Sequence, residues 1–190
     1  MKKDIPANRV AVEILSGSKA SADGFLKALE TTNSAVAFIG HAALFNLDAY
    51  AICFGATSHW CIELPAVMNE LSPTGIAPIP GYACTPLQDG FAPRAKVVFI
   101  GACGITDPFI NQWHLGSNQA LIVPEYLNHD SQVDDISTDL YHAALEWEEM
   151  LVALAAGQNV NQAVATGNAP LQPNSNHRWK VIGNGNVTIR

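Results

Sequence analysis

A chain of 190 residues, 48% apolar and 14% charged, can build one real core and carries too little charge for long disordered tails. Its formal net charge of −7 argues against a nucleic-acid backbone as partner. No stretch approaches the ~20 apolar residues of a membrane span. After Met1, Lys2 and Lys3, the residues Asp4, Pro6 and Asn8 interrupt the apolar run that a secretory signal needs. The four cysteines, Cys53, Cys61, Cys84 and Cys103, contain no C-x-x-C pair. Cys53 and Cys61 are close enough in sequence to pair in principle, but the missing signal predicts reduced thiols and a cytoplasmic setting. The expectation is a single domain over 1–190, whole or cut from a longer protein, with no cofactor and no metal.

In chain order, Val10 to Leu15 alternates as a first strand would. Ser21 is a candidate N-cap, and Phe25, Leu26 and Leu29 give the following helix, to about Glu30, one apolar face. Ala35 to Ile39 is a short buried strand that closes on Gly40 and delivers His41 just past its end. Strand, helix, strand favours a parallel pair. Tyr50 to Gly55 reads as another strand. The interval after His41 is too short for a helical crossover, so a hairpin or ribbon is expected there.

Glu63 to Leu71 is read as a short helix with Pro65 in its first turn, and Ser72 to Pro93 as an irregular loop rich in Pro and Gly. Ala95 to Ala102 is a second buried strand, and it delivers Cys103 at its end. A short helix is expected around Phe109 to His114, then a strand over Gln119 to Val123. The longest helix starts near Asp134 or Asp135. Its expected core stripe is Ile136, Leu140, Ala144, Trp147, Leu151 and Leu154, and Gly157 ends it. Glu146, Glu148 and Glu149 are read as its wet face, and Trp147 and Trp179 as core. A short helix over Val160 to Ala165 follows. Two strand-like pieces around Asn184-Gly185 close the chain as a hairpin.

The chemistry-bearing pair is His41 and Cys103. Each follows an apolar strand containing Phe-Ile-Gly, and each is flanked by small residues (Gly40, Ala42, Ala43; Gly101, Ala102, Gly104) that leave the backbone open to a substrate. In an open parallel sheet the crevice lies beyond the carboxyl ends of the strands. A thiolate is a strong nucleophile, and a neighbouring imidazole can take up its proton or protonate the leaving amine. Asp48 and Asp107 are candidates to orient that imidazole. Glu125 follows the strand after Cys103 and could line a pocket for a basic substrate side chain. Ser58-His59-Trp60-Cys61 is at most a fragment of a metal site, because zinc normally takes three or four ligands at recognisable spacing. No Gly-rich phosphate loop occurs to support an unrelated nucleotide-binding α/β protein.

The order strand–His41-Ala42, long connection, strand–Ala102-Cys103-Gly104, strand, helix resembles the caspase-like cysteine peptidases: caspases, metacaspases, gingipains, separases and bacterial CHAT domains. Leu154, Gly157, Val160 and Ala163 resemble the L-x-x-G-x-x-V-x-x-A helix connection of CHAT domains, and Trp179 to Gly183 their W-x-x-x-G closing strand. The resemblance covers roughly Val10 to Arg190. It implies a caspase-like three-layer α/β sandwich, a mainly parallel sheet with helices on both faces. It implies a hydrolase that cleaves a protein or peptide substrate by acyl transfer through a His41/Cys103 dyad. The main-chain N–H groups of Ala42 and Cys103 would face the oxyanion, and a regulatory protein partner is a further implication. Neither nucleic acid nor membrane is expected as a partner.

Three departures are visible. Ala42 stands where the family has Gly. Asn184-Gly185 follows Gly183 where the family has Asp-Pro. Gly101 stands where several relatives carry an acidic residue or Gln in the pocket. The pocket candidates are therefore Gly101, Gly104 and Glu125. The first and third departures motivate an alternative: a catalytically inactive domain of the same fold that binds or scaffolds another protein.

Overall fold

Ser21 caps the first helix in the computed structural model, which describes residues 11–14, 16, 20–45, 48–54, 58–62, 83–87, 91–102, 105, 110, 111, 113–125, 136–169 and 178–189. Within those ranges residues 41–51, 53, 58–62, 83–87 and 136–142 are described by backbone alone. The Ser21 hydroxyl accepts from the Gly24 N–H at 3.1 Å, which starts α1 (Ala22–Thr31), and Ala22, Phe25 and Leu29 form its buried face. The chain then enters β1 (Ala35–Ile39) and, after Gly40 alone, β2 (His41–Phe45). β3 (Asp48–Phe54), β4 (Ser58–Ile62), β5 (Ala83–Leu87), β6 (Val97–Gly101) and β7 (Ala120–Pro124) follow. Then come α2 (Ile136–Ala155), α3 (Val160–Asn168) and β8 (Trp179–Gly183).

The described strands form two sheets of four. The first has the order β1-β6-β7-β8. Its first three strands are parallel, and β8 runs antiparallel to β7. Every residue of β6 and β7 is buried, the expected state of parallel strands covered on both faces. Val98, Ile100, Leu121 and Val123 meet α1 in one core, while Val97, Phe99, Ala120 and Ile122 meet α2 and α3 in the other. Burying one such side chain is worth about 1.5–3 kcal/mol, so the β6–β7 pair anchors both layers. The fold is thus α/β, a mostly parallel sheet between helices.

The second sheet has the order β2-β3-β4-β5, antiparallel except for the parallel pair β4–β5. It is tied to the first core through β3, where Ile52 and Phe54 are buried. Phe54 lies 4.9 Å from the Phe38 ring of β1 and 5.5 Å from the Phe25 ring of α1. β2 and β3 form the hairpin expected after His41. β4 and β5 were not legible as strands, and β5 lies inside the stretch expected to be an irregular loop. Its Pro86 explains the misreading: proline is confined to edge strands, and β5 is an edge.

Other expectations are corrected. Residues 11–14 form no strand, and Val12 and Ile14 are 56% and 80% exposed. Alternation signals a strand only where a neighbour supplies ladder bonds, and among the described residues β1 pairs with β6 alone. Residues 187–189 form no strand either. The Asn184 N–H turns to Gln119 O at 2.8 Å. The Val187 and Gly185 carbonyls accept from the N–H groups of Val160 and Asn161, the first residues of α3. β8 therefore pairs with β7 and not with the tail. The core stripe of α2 also moves. Ala143, Glu146, Met150, Ala153 and Leu154 are buried, whereas Ala144 is exposed, because the helix meets α3 as well as the sheet. Met150 packs so closely on Gly167 of α3 that a Cβ there would lie 2.5 Å from its methyl. The expected helix over Glu63 to Leu71 and the Asp134 and Asp135 caps lie outside the described residues. So do Phe109 and Gln112 of the expected helix around Phe109 to His114.

The ends of α2 and α3 are built as their residues dictate. Gly157 has φ 91° and donates to Leu154 O at 2.9 Å, while Gln158 donates to Ala153 O at 3.1 Å, a Schellman closure. Asn159 and Gln162 form a reciprocal capping box that starts α3. Gly183 has φ 86°, and a Cβ there would stand 2.7 Å from the Gln119 carbonyl oxygen. Gly183→Ala should therefore lower stability by about 1–3 kcal/mol in urea unfolding, from backbone strain and collision together. An unchanged midpoint would refute this account of the turn.

Candidate functional site

β1 and β6 are parallel neighbours in the register Ala35↔Val97 through Ile39↔Gly101, and the Gly40 N–H donates to Gly101 O at 3.0 Å. The two strands therefore end side by side at the carboxyl edge of the sheet, β1 leading to residue 41 and β6 to residue 103. The bend after β1 depends on Gly40: a Cβ there would stand 2.6 Å from the Phe38 ring. That ring is held by Phe25 and Phe54, so the three-ring cluster sets where β2 begins. His41 and Ala42 are the first two residues of β2, an edge strand of the second sheet. One set of alternate main-chain groups on β2 thus faces away from β3.

Cys103, Gly104 and Asp107 lie outside the described residues, and Asp48 opens β3. Gly101 is buried, and a Cβ there would lie 2.9 Å from the Phe99 ring and 3.4 Å from Ala143 of α2. An acidic side chain at this position would meet the second core. Glu125 stands one residue beyond β7, at the same edge. Its N–H donates to Arg178 O at 2.6 Å, and its carboxylate lies 3.6 Å from the Arg178 Nε. Both side chains are well exposed, so this ion pair is worth under about 1 kcal/mol, and a cationic substrate would compete with Arg178 for it.

Sequence reasoning missed the one buried charge among the described side chains. Glu146, expected on the wet face of α2, is only 6% exposed and accepts from the Trp179 indole N–H at 2.5 Å. Burial pushes its carboxyl up from 4.5 to about 7, and the indole hydrogen bond pulls weakly the other way. Phe99 stacks on Trp147 at 4.8 Å and meets Trp179 at 4.6 Å, so the carboxyl sits beside an aromatic wall. Asn168 pins the Trp179 backbone at both its N–H and its C=O. Trp179 is core, as expected, and Trp147 is half-buried against the same cluster. The available signal was spacing: Glu146 lies three after Ala143 and four before Met150, both core.

Among the described side chains, no group of three or more His, Cys, Asp or Glu could hold a metal. Among the described residues, no helix is long and apolar enough to cross a membrane. Comparison of the chain with known families, with curated proteins and with solved structures gives no match.

Proposed function

We propose that the chain is a cysteine endopeptidase of the caspase-like type, with Cys103 as nucleophile and His41 as the proton-handling group. One observation carries the reading: the parallel pairing of β1 with β6, in register to their last residues, beside the chain order His41 then Cys103. A thiolate attacking a peptide carbonyl forms a thioester and releases an amine. The imidazole protonates that amine and then activates the hydrolytic water. The oxyanion needs preorganised N–H donors. Ala42 N–H, on an edge strand, and Cys103 N–H, past the end of β6, are the candidates.

The test is stoichiometric alkylation. Iodoacetamide at neutral pH should modify Cys103 before the other three thiols, because a neighbouring imidazole raises the thiolate fraction. Cleavage of a quenched-fluorescent peptide library should fall in step with the labelled fraction, read by peptide mapping. Earlier labelling of Cys53, Cys61 or Cys84, or full labelling of Cys103 with cleavage intact, would refute the reading.

A further inference from the structure

Asn184-Gly185 sits where the approach to β7, the end of β8 and the start of α3 meet. The Asn184 side chain donates through Nδ2 to Ser117 O at 2.7 Å, and its Oδ1 accepts from the Asn186 N–H at 3.0 Å. Its backbone N–H donates to Gln119 O at 2.8 Å. Gly185 O accepts from the Asn161 N–H at 2.9 Å, and Val187 O from the Val160 N–H at 3.0 Å, so this turn satisfies the first donors of α3. Gly185 has no space for a side chain, because a Cβ there would run into the Asn161 side-chain amide. The Gly185 N–H has no acceptor among the described residues. Of all the asparagines in the chain, only Asn184 precedes a glycine.

We propose that Asn184 is a modification site, the position at which the folded protein deamidates, and that conversion there releases the turn from α3. The nucleophile is the Gly185 nitrogen. It gives its proton to solvent base and bonds to Asn184 Cγ. The Cγ–Nδ2 bond breaks and ammonia leaves, closing a succinimide ring. Water then opens the ring at one of its two carbonyls. Opening at Cγ leaves an aspartyl residue, and opening at the main-chain carbonyl leaves an isoaspartyl link. One water is consumed, one ammonia is released, and nothing is oxidised or reduced. Three features of the turn favour the attack. The Gly185 nitrogen carries no competing hydrogen bond and no side chain of its own residue to shield it. The Asx turn from Asn184 Oδ1 to the Asn186 N–H curls the side chain back over the Gly185 amide, which brings the reacting atoms together. The same Asn186 N–H faces the oxygen on which negative charge collects as Cγ becomes tetrahedral.

The product cannot keep the junction. Nδ2 is the donor to Ser117 O, and a carboxylate in its place sets acceptor against acceptor. In the isoaspartyl form the main chain also gains one methylene ahead of Gly185, which is already packed against the Asn161 amide. The Gly185 and Val187 carbonyls then leave their places on the N–H groups of Asn161 and Val160, and α3 loses the partners of its first turn. The inference goes beyond the peptidase reading and does not rest on it, since none of these residues belongs to the dyad.

The experiment incubates the folded full-length chain at mildly alkaline pH and maps its peptides by mass, beside a synthetic peptide of residues 178–190. The expected result is the mass gain of amide-to-acid conversion at Asn184 before any other asparagine, with an isoaspartyl fraction. The rate should rise with pH, because the Gly185 nitrogen must lose its proton. In the converted protein, separated by ion exchange, the amides of Val160 and Asn161 should exchange hydrogen faster by about tenfold or more. Asn184→Ser, whose hydroxyl can still accept from the Asn186 N–H, should gain no mass at that position. Asn184→Asp should have a lower urea midpoint than wild type at neutral pH and close the gap in acid, where the protonated carboxyl can donate to Ser117 O. Folded protein that keeps the Asn184 amide after the peptide has converted fully, or that converts another asparagine first, would overturn the proposal. This readout stands even where a variant fails to fold. Unchanged exchange at Val160 and Asn161 after conversion would overturn it too. Peptide cleavage is not measured, so failure here leaves the peptidase reading to its own test.

Discussion

Cys103→Ala should lower peptide cleavage by about a thousandfold or more while moving the unfolding free energy by less than ~1 kcal/mol. The rate effect follows from chemistry: without the thiolate no thioester forms, and what remains is catalysis by binding and by the oxyanion donors. The small stability effect follows from size, since Cys to Ala removes little apolar surface. His41→Ala should cost about 10²–10⁴-fold, the usual worth of a positioned acid–base group. The two losses should not add, because nucleophile and base act as one unit. The measurement is kcat/KM for wild type, both single variants and the double variant, in the presence of any partner that activates the protein. Equal cleavage by wild type and Cys103→Ala would remove the peptidase and leave the binding or scaffolding module as the reading. Ala42 in the family's Gly position gives that alternative its basis.

The second large effect belongs to Glu146. Glu146→Gln should flatten a fall in stability that the wild type shows between about pH 4.5 and about pH 7. The sign follows from linkage. In the unfolded chain the carboxyl releases its proton near 4.5, while in the folded protein it holds the proton up to about 7. Between these values the unfolded state binds fewer protons, so rising pH draws the chain toward unfolding. Below 4.5 the penalty is absent, and above about 7 it is complete. At ~1.36 kcal/mol per pKa unit it reaches roughly 3 kcal/mol. Gln is neutral throughout and its side-chain carbonyl can still accept from the Trp179 indole, so the variant should gain stability over wild type at pH 7–8 and match it near pH 4.5. Urea unfolding at stepped pH checks this, and parallel profiles for the two proteins would refute it. Glu146→Ala should destabilise near pH 4.5, where the wild type carries no ionisation penalty, since it leaves the buried Trp179 N–H without its acceptor.

The local rules held where the residues that decide an element are neighbours in sequence. Ser21 starts α1, Gly157 stops α2, and the continuous apolar runs Ala35–Ile39, Val97–Gly101 and Ala120–Pro124 are strands. These signals rest on hydrogen bonds within a few residues or on burial of both strand faces, and both are written into the local pattern. They failed where a distant partner supplies the bonds. Val10 to Leu15 has the pattern of a strand, but residues 11–14 form no strand pairing among the described residues. Ala83 to Leu87 contains a proline yet pairs with β4. Asn184-Gly185 has the residues of a hairpin turn, but Gln119 and the start of α3 take the backbone groups that a second strand would use.

The same division governs the candidate site. His41 and Cys103 were legible as candidates after apolar strands, because residue type and small neighbours are local properties. Only the tertiary structure decided that β1 and β6 are adjacent and parallel, through backbone bonds between residues about sixty positions apart. It alone decided that Glu146 is buried, because Trp179 and α3 cover a helix face whose own residues include a charge. Register across a sheet is set by the pairing of whole strands, and no single strand's sequence contains it.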